Sequence, residues 1–312
     1  MLHALSDTAS WLPKLLLAPW LLVQGRQVRR DALVLPEAAG PRAGLAVPED
    51  TQASAAVETP PLLRLLVVGD SSAAGVGVDH QHQALAEPLA SRLAAALGGP
   101  VAWQLIATTG HRASHARRAL QNAVQAGRLQ PADVLVTALG VNDVVAQTRP
   151  AAFLAELDAL CALAAQHAGV RHVLHSALPP MGRFPLLPQP LRWALGRDAR
   201  RLDHALRRHL ARLPLSSTPR RQHLPLPELP PPVLPATAGL PGPAVTSAIT
   251  RTEGKPPVPQ PPDWMARDGF HPGATGYAAW AQALAEAVTG AGWGAACGGA
   301  QERAPASSRA RR

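Results

Sequence analysis

The chain reads as an α/β protein built on a parallel sheet that helices cover on both faces. Three observations predict this. Short, almost wholly apolar runs such as LLVV (65–68) and DVLVTAL (133–139) have the composition of strands buried on both sides. Ala/Leu-rich helical stretches of roughly 10–15 residues separate them, the spacing of βαβ crossovers. At 312 residues the chain is long enough for one sizeable domain with appendages, or for two small domains.

Residues 1–30 form an apolar helix followed by a basic cluster (WLPKLLLAPWLLVQGRQVRR). From Trp11 to Val23 a helix would span about 20 Å, short of the ~30 Å hydrocarbon core, and Lys14, Pro13 and Pro19 weaken it further as a spanning segment. It lacks the basic start and the cleavage site of a secretory signal. Two readings stay open: an in-plane anchor with Trp11 and Trp20 among lipid headgroups and arginines on anionic lipid, or a helix packed on the domain. Positive charge beyond the apolar run favours a cytoplasmic flank, so the expected location is cytoplasmic, peripheral to the inner face of a membrane. Residues 31–62, rich in Pro, Ala and Gly, read as a linker.

The domain proper is expected over 63–290. A strand at 65–68 leads to a helix at 83–97, a strand at 101–107, a helix at 114–126, a strand at 133–139, a helix at 151–167 and a strand at 172–177. An arginine-rich helical stretch (191–213) follows. Residues 213–262 then hold 15 of the 33 prolines and read as an insertion without long helices, a lid or a polyproline ligand being the functional alternatives. A short strand at 222–226 would sit at a sheet edge because of Pro225. An amphipathic helix at 274–288, entered through HPGATGY, closes the domain, and 291–312 is a polar tail.

The net charge is +9, nearly all from arginine, since Lys14 and Lys255 are the only lysines. Few aromatics, no zinc-finger spacing and no RNA-binding signature argue against nucleic acid as the partner. Cys161 and Cys297 lie far apart, outside any CxxC or Cys/His cluster, and read as incidental thiols that do not fix the redox compartment.

The stretch RLLVVGDSSAAGVGV (64–78) follows the first domain strand with glycines that suggest a phosphate cradle. The spacing of Gly69, Gly75 and Gly77 is not GxGxxG, and Val76 stands where a P-loop needs lysine, so the cradle would lack its charge on the phosphates. The stretch serves better to present a nucleophile. Ser71 lies just past the C-terminal end of a buried parallel strand, where open α/β sheets place their sites. Gly69 permits a tight exit, Gly75 and Gly77 read as loop hinges, and the Ser71 N–H can point at a developing oxyanion. LGVNDVV places Gly140 and Asn142 at a neighbouring strand end, and an amide there can stabilise an oxyanion without carrying charge. IATTG places Gly110 at the same edge with a backbone N–H. ARDGFHPG spaces Asp268 and His271 three apart, so the carboxylate can hold imidazole Nδ1–H and leave Nε2 for the serine. His111 and His115 lie near the same edge and could line the pocket, whereas His172 and His175 read as structural.

In this order the blocks GDSS (69–72), Gly110, GVND (140–143) and DGFHP (268–272) resemble the SGNH (GDSL-type) hydrolase family over about 63–289, interrupted by the insertion. One departure is the second block, ATTGHRAS, which lacks the asparagine usual nearby. The GxSxG elbow of α/β-hydrolases is absent. The resemblance implies a three-layer αβα sandwich with a flavodoxin-like sheet. It also implies Ser71 as nucleophile, His271 as general base and Asp268 as its orienting acid, with Ser71 N–H, Gly110 N–H and the Asn142 side chain as the oxyanion hole. No metal or organic cofactor is required. The expected activity is hydrolysis of a small-molecule or lipid ester through an acyl-enzyme, as a carboxylesterase or lipase-like enzyme, with lysophospholipase and thioesterase as its variants. An acyltransferase on the same fold and a non-catalytic membrane-associated binding protein are the rival expectations. The sequence does not specify an oligomeric state.

Overall fold

Strand β2 (Leu63–Gly69) lies inside the sheet, and its side chains feed two separate cores. Leu63, Leu65 and Val67 point into one apolar cluster, Leu66 and Val68 into the other, and all five are buried. A strand with no polar face must be covered on both sides. The computed structural model describes residues 12–48, 59–214, 216–227 and 264–293. Among these, six strands form one sheet in the order β1-β3-β2-β4-β5-β6, with β1 Ala43–Ala46, β3 Val101–Ala107, β4 Val134–Ala138, β5 His172–Ser176 and β6 Arg220–Leu224. Strands β2 to β6 pair in parallel, and β1 runs antiparallel to β3. The parallel strands therefore follow the flavodoxin-like order, and the point where it reverses lies between β2 and β4.

Seven helices accompany the sheet among the described residues: α1 Leu12–Asp31, α2 Ala86–Leu97, α3 Ala113–Gln125, α4 Val141–Val145, α5 Pro150–Ala168, α6 Leu191–Leu210 and α7 Ala274–Gly290. Helices α2 and α7 cover one face through Leu89, Leu93, Tyr277 and Leu284. Helices α3, α5 and α6 cover the other through Leu120, Phe153, Leu157 and Leu202. The result is the three-layer αβα sandwich. Helix α5 starts with Pro150 in its first turn, where the missing N–H costs no hydrogen bond. Strand β6 stops one residue before Pro225, so the edge strand completes its ladder with every N–H it needs.

The reading of 31–62 as a plain linker is corrected in part. Residues Ala43–Ala46 are an edge strand of the sheet, and the approach to them is pinned. Arg42 donates to the Ala107 carbonyl oxygen at 2.5 Å and pairs with Glu37, whose carboxylate also accepts the Thr109 N–H at 2.6 Å. Burial pushes the Glu37 pKa up, but the Thr109 N–H and Arg42 outweigh it and hold the pKa below its ordinary value. Four residues of AGLA carry too little alternation to signal a strand. Partners outside the strand specify it.

Helix α1 packs on the N-terminal end of α6. Its buried Gln24 donates to the Gln189 carbonyl oxygen at 2.6 Å and accepts the Leu191 N–H at 3.1 Å. Among the described residues no helix is long and apolar enough to cross a membrane. Most of the proline-rich stretch (228–263) and the tail from 294 onward lie outside the described residues, as do 1–11 and 49–58.

Candidate active site

The chain leaves β2 through a space that only glycine fits. A Cβ on Gly69 would run into the Ala73 side chain and stand 2.8 Å from the Ala138 carbonyl oxygen. Asp70 N–H donates to that same carbonyl at 3.1 Å, so the exits of β2 and β4 are tied side by side. This places Ser71 and Asn142 together at the reversal point of the sheet, where ligands of open α/β folds bind.

His271 arrives from about 200 residues further along the chain. Its Nε2 lies 2.8 Å from Ser71 Oγ and its Nδ1 2.5 Å from Asp268 Oδ2. A carboxylate only accepts, so Nδ1 carries the ring proton and Nε2 is the acceptor facing the serine hydroxyl. Asp268 is buried, and its other oxygen accepts the backbone N–H groups of Phe270 and His271 at 3.0 and 3.1 Å. Burial alone would raise the Asp268 pKa; the hydrogen bonds from His271 and Phe270 outweigh it and hold the group ionised below the ordinary carboxylate range.

Two glycines of the loop after Ser71 do more than hinge it: a Cβ on Gly75 (φ +84°) would stand 2.5 Å from Ala38 Cβ and 2.8 Å from Ala84 Cβ. Gly77 has φ +109°, and a Cβ there would collide with the Pro272 carbonyl oxygen, lie 2.8 Å from Ala266 Cβ and 3.4 Å from His271 Cβ. The serine loop and the histidine loop are thus in direct backbone contact. Tyr277 of α7 adds a second tie, its hydroxyl donating to the Val76 carbonyl oxygen at 2.8 Å.

Asn142 lies in the first turn of α4, and its side-chain amide donates to the His111 carbonyl oxygen at 3.0 Å while standing 3.5 Å from Asp70 Oδ2. Asp70 itself is buried and accepts the Ser72 N–H at 3.0 Å. Burial pushes its pKa up to about 6; the Ser72 N–H and His271 oppose the rise, and nearby Asp143 adds to it. Gly110 has φ +82° in an exposed turn, one residue before the carbonyl that Asn142 holds. The structure brings Ser71, His271 and Asp268 into hydrogen-bonded contact and links Asn142 to them through Asp70. Gly110 joins only through its neighbour His111.

Sequence reasoning assigned no role to Asp70 or Asp143. Asp143 accepts the Ala113 N–H at 2.9 Å and so caps the start of α3 from another element. Both acids lie inside the GDSS and GVND blocks, where the spacing alone does not show what their carboxylates hold. Among the described residues no three His, Cys, Asp or Glu side chains gather to hold a metal ion.

Beside His271 opens a pocket of about 250 Å³. Leu139, Phe184, Met265, Phe270 and Trp280 supply apolar walls, and Asp70, Ser72 and His271 also line it. His111 and His115 are not among its lining residues; they stack edge-to-face on each other, with ring centroids 5.9 Å apart.

The parallel sheet thus carries a hydrogen-bonded Ser71–His271–Asp268 array at its reversal point, in an αβα sandwich. The chain belongs to the GDSL-like Lipase/Acylhydrolase family, which matches residues 67–238 and so more than half of it. The match takes in Ser71, Gly110 and Asn142 and ends short of Asp268 and His271. Among solved structures the chain is similar to a lipase from a goat rumen metagenome, at 15% identity over 71% of this chain and 95% of that one, with a TM-score of 0.47. It is also similar to an esterase from Pseudoalteromonas sp., at 13% identity over 73% and 97% of the two chains and a TM-score of 0.41. A third similar structure is a salicylyl-acyltransferase from a tetracycline biosynthetic pathway, at 16% identity over 75% and 56% and a TM-score of 0.43. The comparison with curated proteins found no match.

Proposed function

We propose that this protein hydrolyses carboxylic esters through an acyl-enzyme on Ser71. The observation that carries the reading is the position of His271, with one ring nitrogen on Ser71 Oγ and the other on a buried carboxylate. In the first half-reaction Ser71 Oγ attacks the ester carbonyl carbon as its proton passes to His271 Nε2. The imidazolium that forms is stabilised by ionised Asp268. The C–O bond to the alcohol breaks, and the alcohol leaves with the proton from Nε2. In the second half-reaction water gives a proton to Nε2, attacks the acyl carbon and releases the acid, restoring the Ser71 hydroxyl.

The oxyanion is held by the Ser71 N–H and the Asn142 amide, with Gly110 N–H as the third donor. Asn142 suits this role because one amide hydrogen is fixed on the His111 carbonyl. The other faces Asp70 at a distance too long for a good bond, and a developing oxyanion can claim it. The apolar pocket next to His271 favours an uncharged, apolar acyl group of modest length.

A fluorophosphonate probe tests the nucleophile: wild type is labelled and Ser71→Ala is not. Ser71→Ala should lower kcat on p-nitrophenyl esters by about 10⁴–10⁶. Near-normal turnover by Ser71→Ala would overturn the proposal. In a series of acyl chain lengths, kcat/KM should peak at short to medium chains, and product analysis with an added alcohol separates hydrolysis from acyl transfer.

A further inference from the structure

Helix α1 is a surface helix with two unlike faces. Leu21, Gln24 and Val28 face the domain, with Leu21 and Val28 packed against the core that contains α6 and Gln24 bonded to the α6 entrance. The opposite face exposes Leu16 (80%), Trp20 (61%), Leu22 (63%) and Val23 (57%). One to two turns further on, the same face carries Arg26, Arg29 and Arg30. Arg26 and Arg29 have no acidic partner among the described residues, and Arg30 pairs only with its exposed neighbour Asp31. On α6, next to the Gln24 contact, Trp193 is also partly exposed, with the Arg197 guanidinium 5.3 Å over its ring.

A soluble domain rarely leaves this many large apolar side chains on one helix face. Burial against a second copy of the chain is a poor solution. A parallel two-fold pairing would set the arginines of each copy side by side, and an antiparallel one would bury them against the apolar half of the other, with few acids to compensate in either. A bilayer bearing anionic headgroups suits both halves of the face. Tryptophan and leucine insert at headgroup depth, while the arginines meet the lipid charge.

We propose that the exposed face of α1 is a docking surface for an anionic membrane. The helix lies in the plane of the interface while Gln24 keeps it fixed to the domain. This surface does not depend on the catalytic reading, because none of its residues contributes to the Ser71 site.

The test is sedimentation of the full chain with vesicles of phosphatidylcholine alone or with 30 mol% phosphatidylglycerol. Binding is expected to the anionic vesicles and to fall steeply as salt rises. Neutralising Arg26, Arg29 and Arg30 to Gln should weaken it by about fivefold per arginine. Leu16→Ser with Trp20→Ser should weaken it at least about tenfold. Unchanged melting temperatures and circular dichroism would show that these surface variants fold. Failure to bind anionic vesicles would overturn the proposal, as would equal binding to neutral ones that ignores the arginines. A concentration-dependent dimer abolished by Trp20→Ser would also overturn it, assigning the face to a second copy.

Discussion

Asp268 holds His271 at two points, accepting the ring Nδ1–H on one oxygen and the backbone N–H on the other. The ring and the backbone that carries it are therefore oriented by one buried group. Asp268→Asn keeps the size and the backbone acceptor. It also offers the ring a donor where an acceptor is needed, so the neutral histidine can take the wrong tautomer. The expected outcome is a fall in kcat of up to about 10⁴ with little change in KM or in thermal stability. Steady-state kinetics with a melting curve on the same sample checks it.

Gly77 is where the serine loop passes against the histidine loop. Substitution by alanine meets both a strained φ of +109° and the Pro272 carbonyl, a backbone atom that cannot swing aside. Gly77→Ala should cost roughly 2–4 kcal/mol of stability and lower kcat by displacing His271 from Ser71. Gly98 is the control: its φ is also positive (+70°), but nothing lies within 4 Å of a Cβ there. Gly98→Ala should cost only about 1–2 kcal/mol and leave kcat unchanged. Equal effects of the two on activity would count against the contact.

These contacts mark the boundary of what the sequence shows. The buried strands are legible because LLVV and DVLVTAL have no polar face, and the chemical blocks are legible because each has a fixed local spacing. The short edge strand Ala43–Ala46 is not, since Arg42, Glu37 and β3 specify it from outside. Gly75 and Gly77 read as hinges because a sequence cannot show what a missing Cβ makes room for. The role of Asp70 is hidden for a related reason: beside its local bond to the Ser72 N–H, it faces Asn142 from 72 residues away in the chain. The docking of α1 combines Leu21 and Val28, which an apolar run does not distinguish from their exposed neighbours, with the two bonds of buried Gln24.

On the proposed mechanism, Asn142 is the residue that separates oxyanion stabilisation from substrate binding. Its loss should be felt when charge develops on the carbonyl oxygen and hardly before. Asn142→Ala is expected to lower kcat by about 10²–10³ with KM nearly unchanged. Fluorophosphonate labelling should slow but still go to completion, because Ser71 and His271 stay paired. A rise in KM at constant kcat would instead assign Asn142 to ground-state binding.

The strongest pH dependence of stability is expected away from the active site. His175 on β5 is fully buried, with Nδ1 2.7 Å from Thr137 Oγ1 and Nε2 accepting the Arg221 Nε–H at 3.0 Å. Arg221 in turn pairs with Asp158, which His209 also reaches, while His223 pairs with Asp203 and Cys161 Sγ stands 3.9 Å from the His175 ring. An Nε2 that accepts from a guanidinium cannot also carry a proton. Burial first, and then Arg221, push the His175 pKa well below its ordinary value. Once pH falls below about 6.5 the unfolded chain takes up a proton that the folded chain refuses. The stabilisation is therefore complete above that pH and is lost as pH falls, by up to about 1.4 kcal/mol per pH unit. Asp70 acts with the opposite sign: its raised pKa makes the folded chain bind the extra proton below about pH 6. The comparison with His175→Gln isolates the histidine, since glutamine can still accept from Arg221 but does not titrate. Denaturant melts from pH 8 to 5 should show the wild-type slope steeper by about one proton. Parallel curves for the two proteins would mean that His175 is not held neutral by the fold.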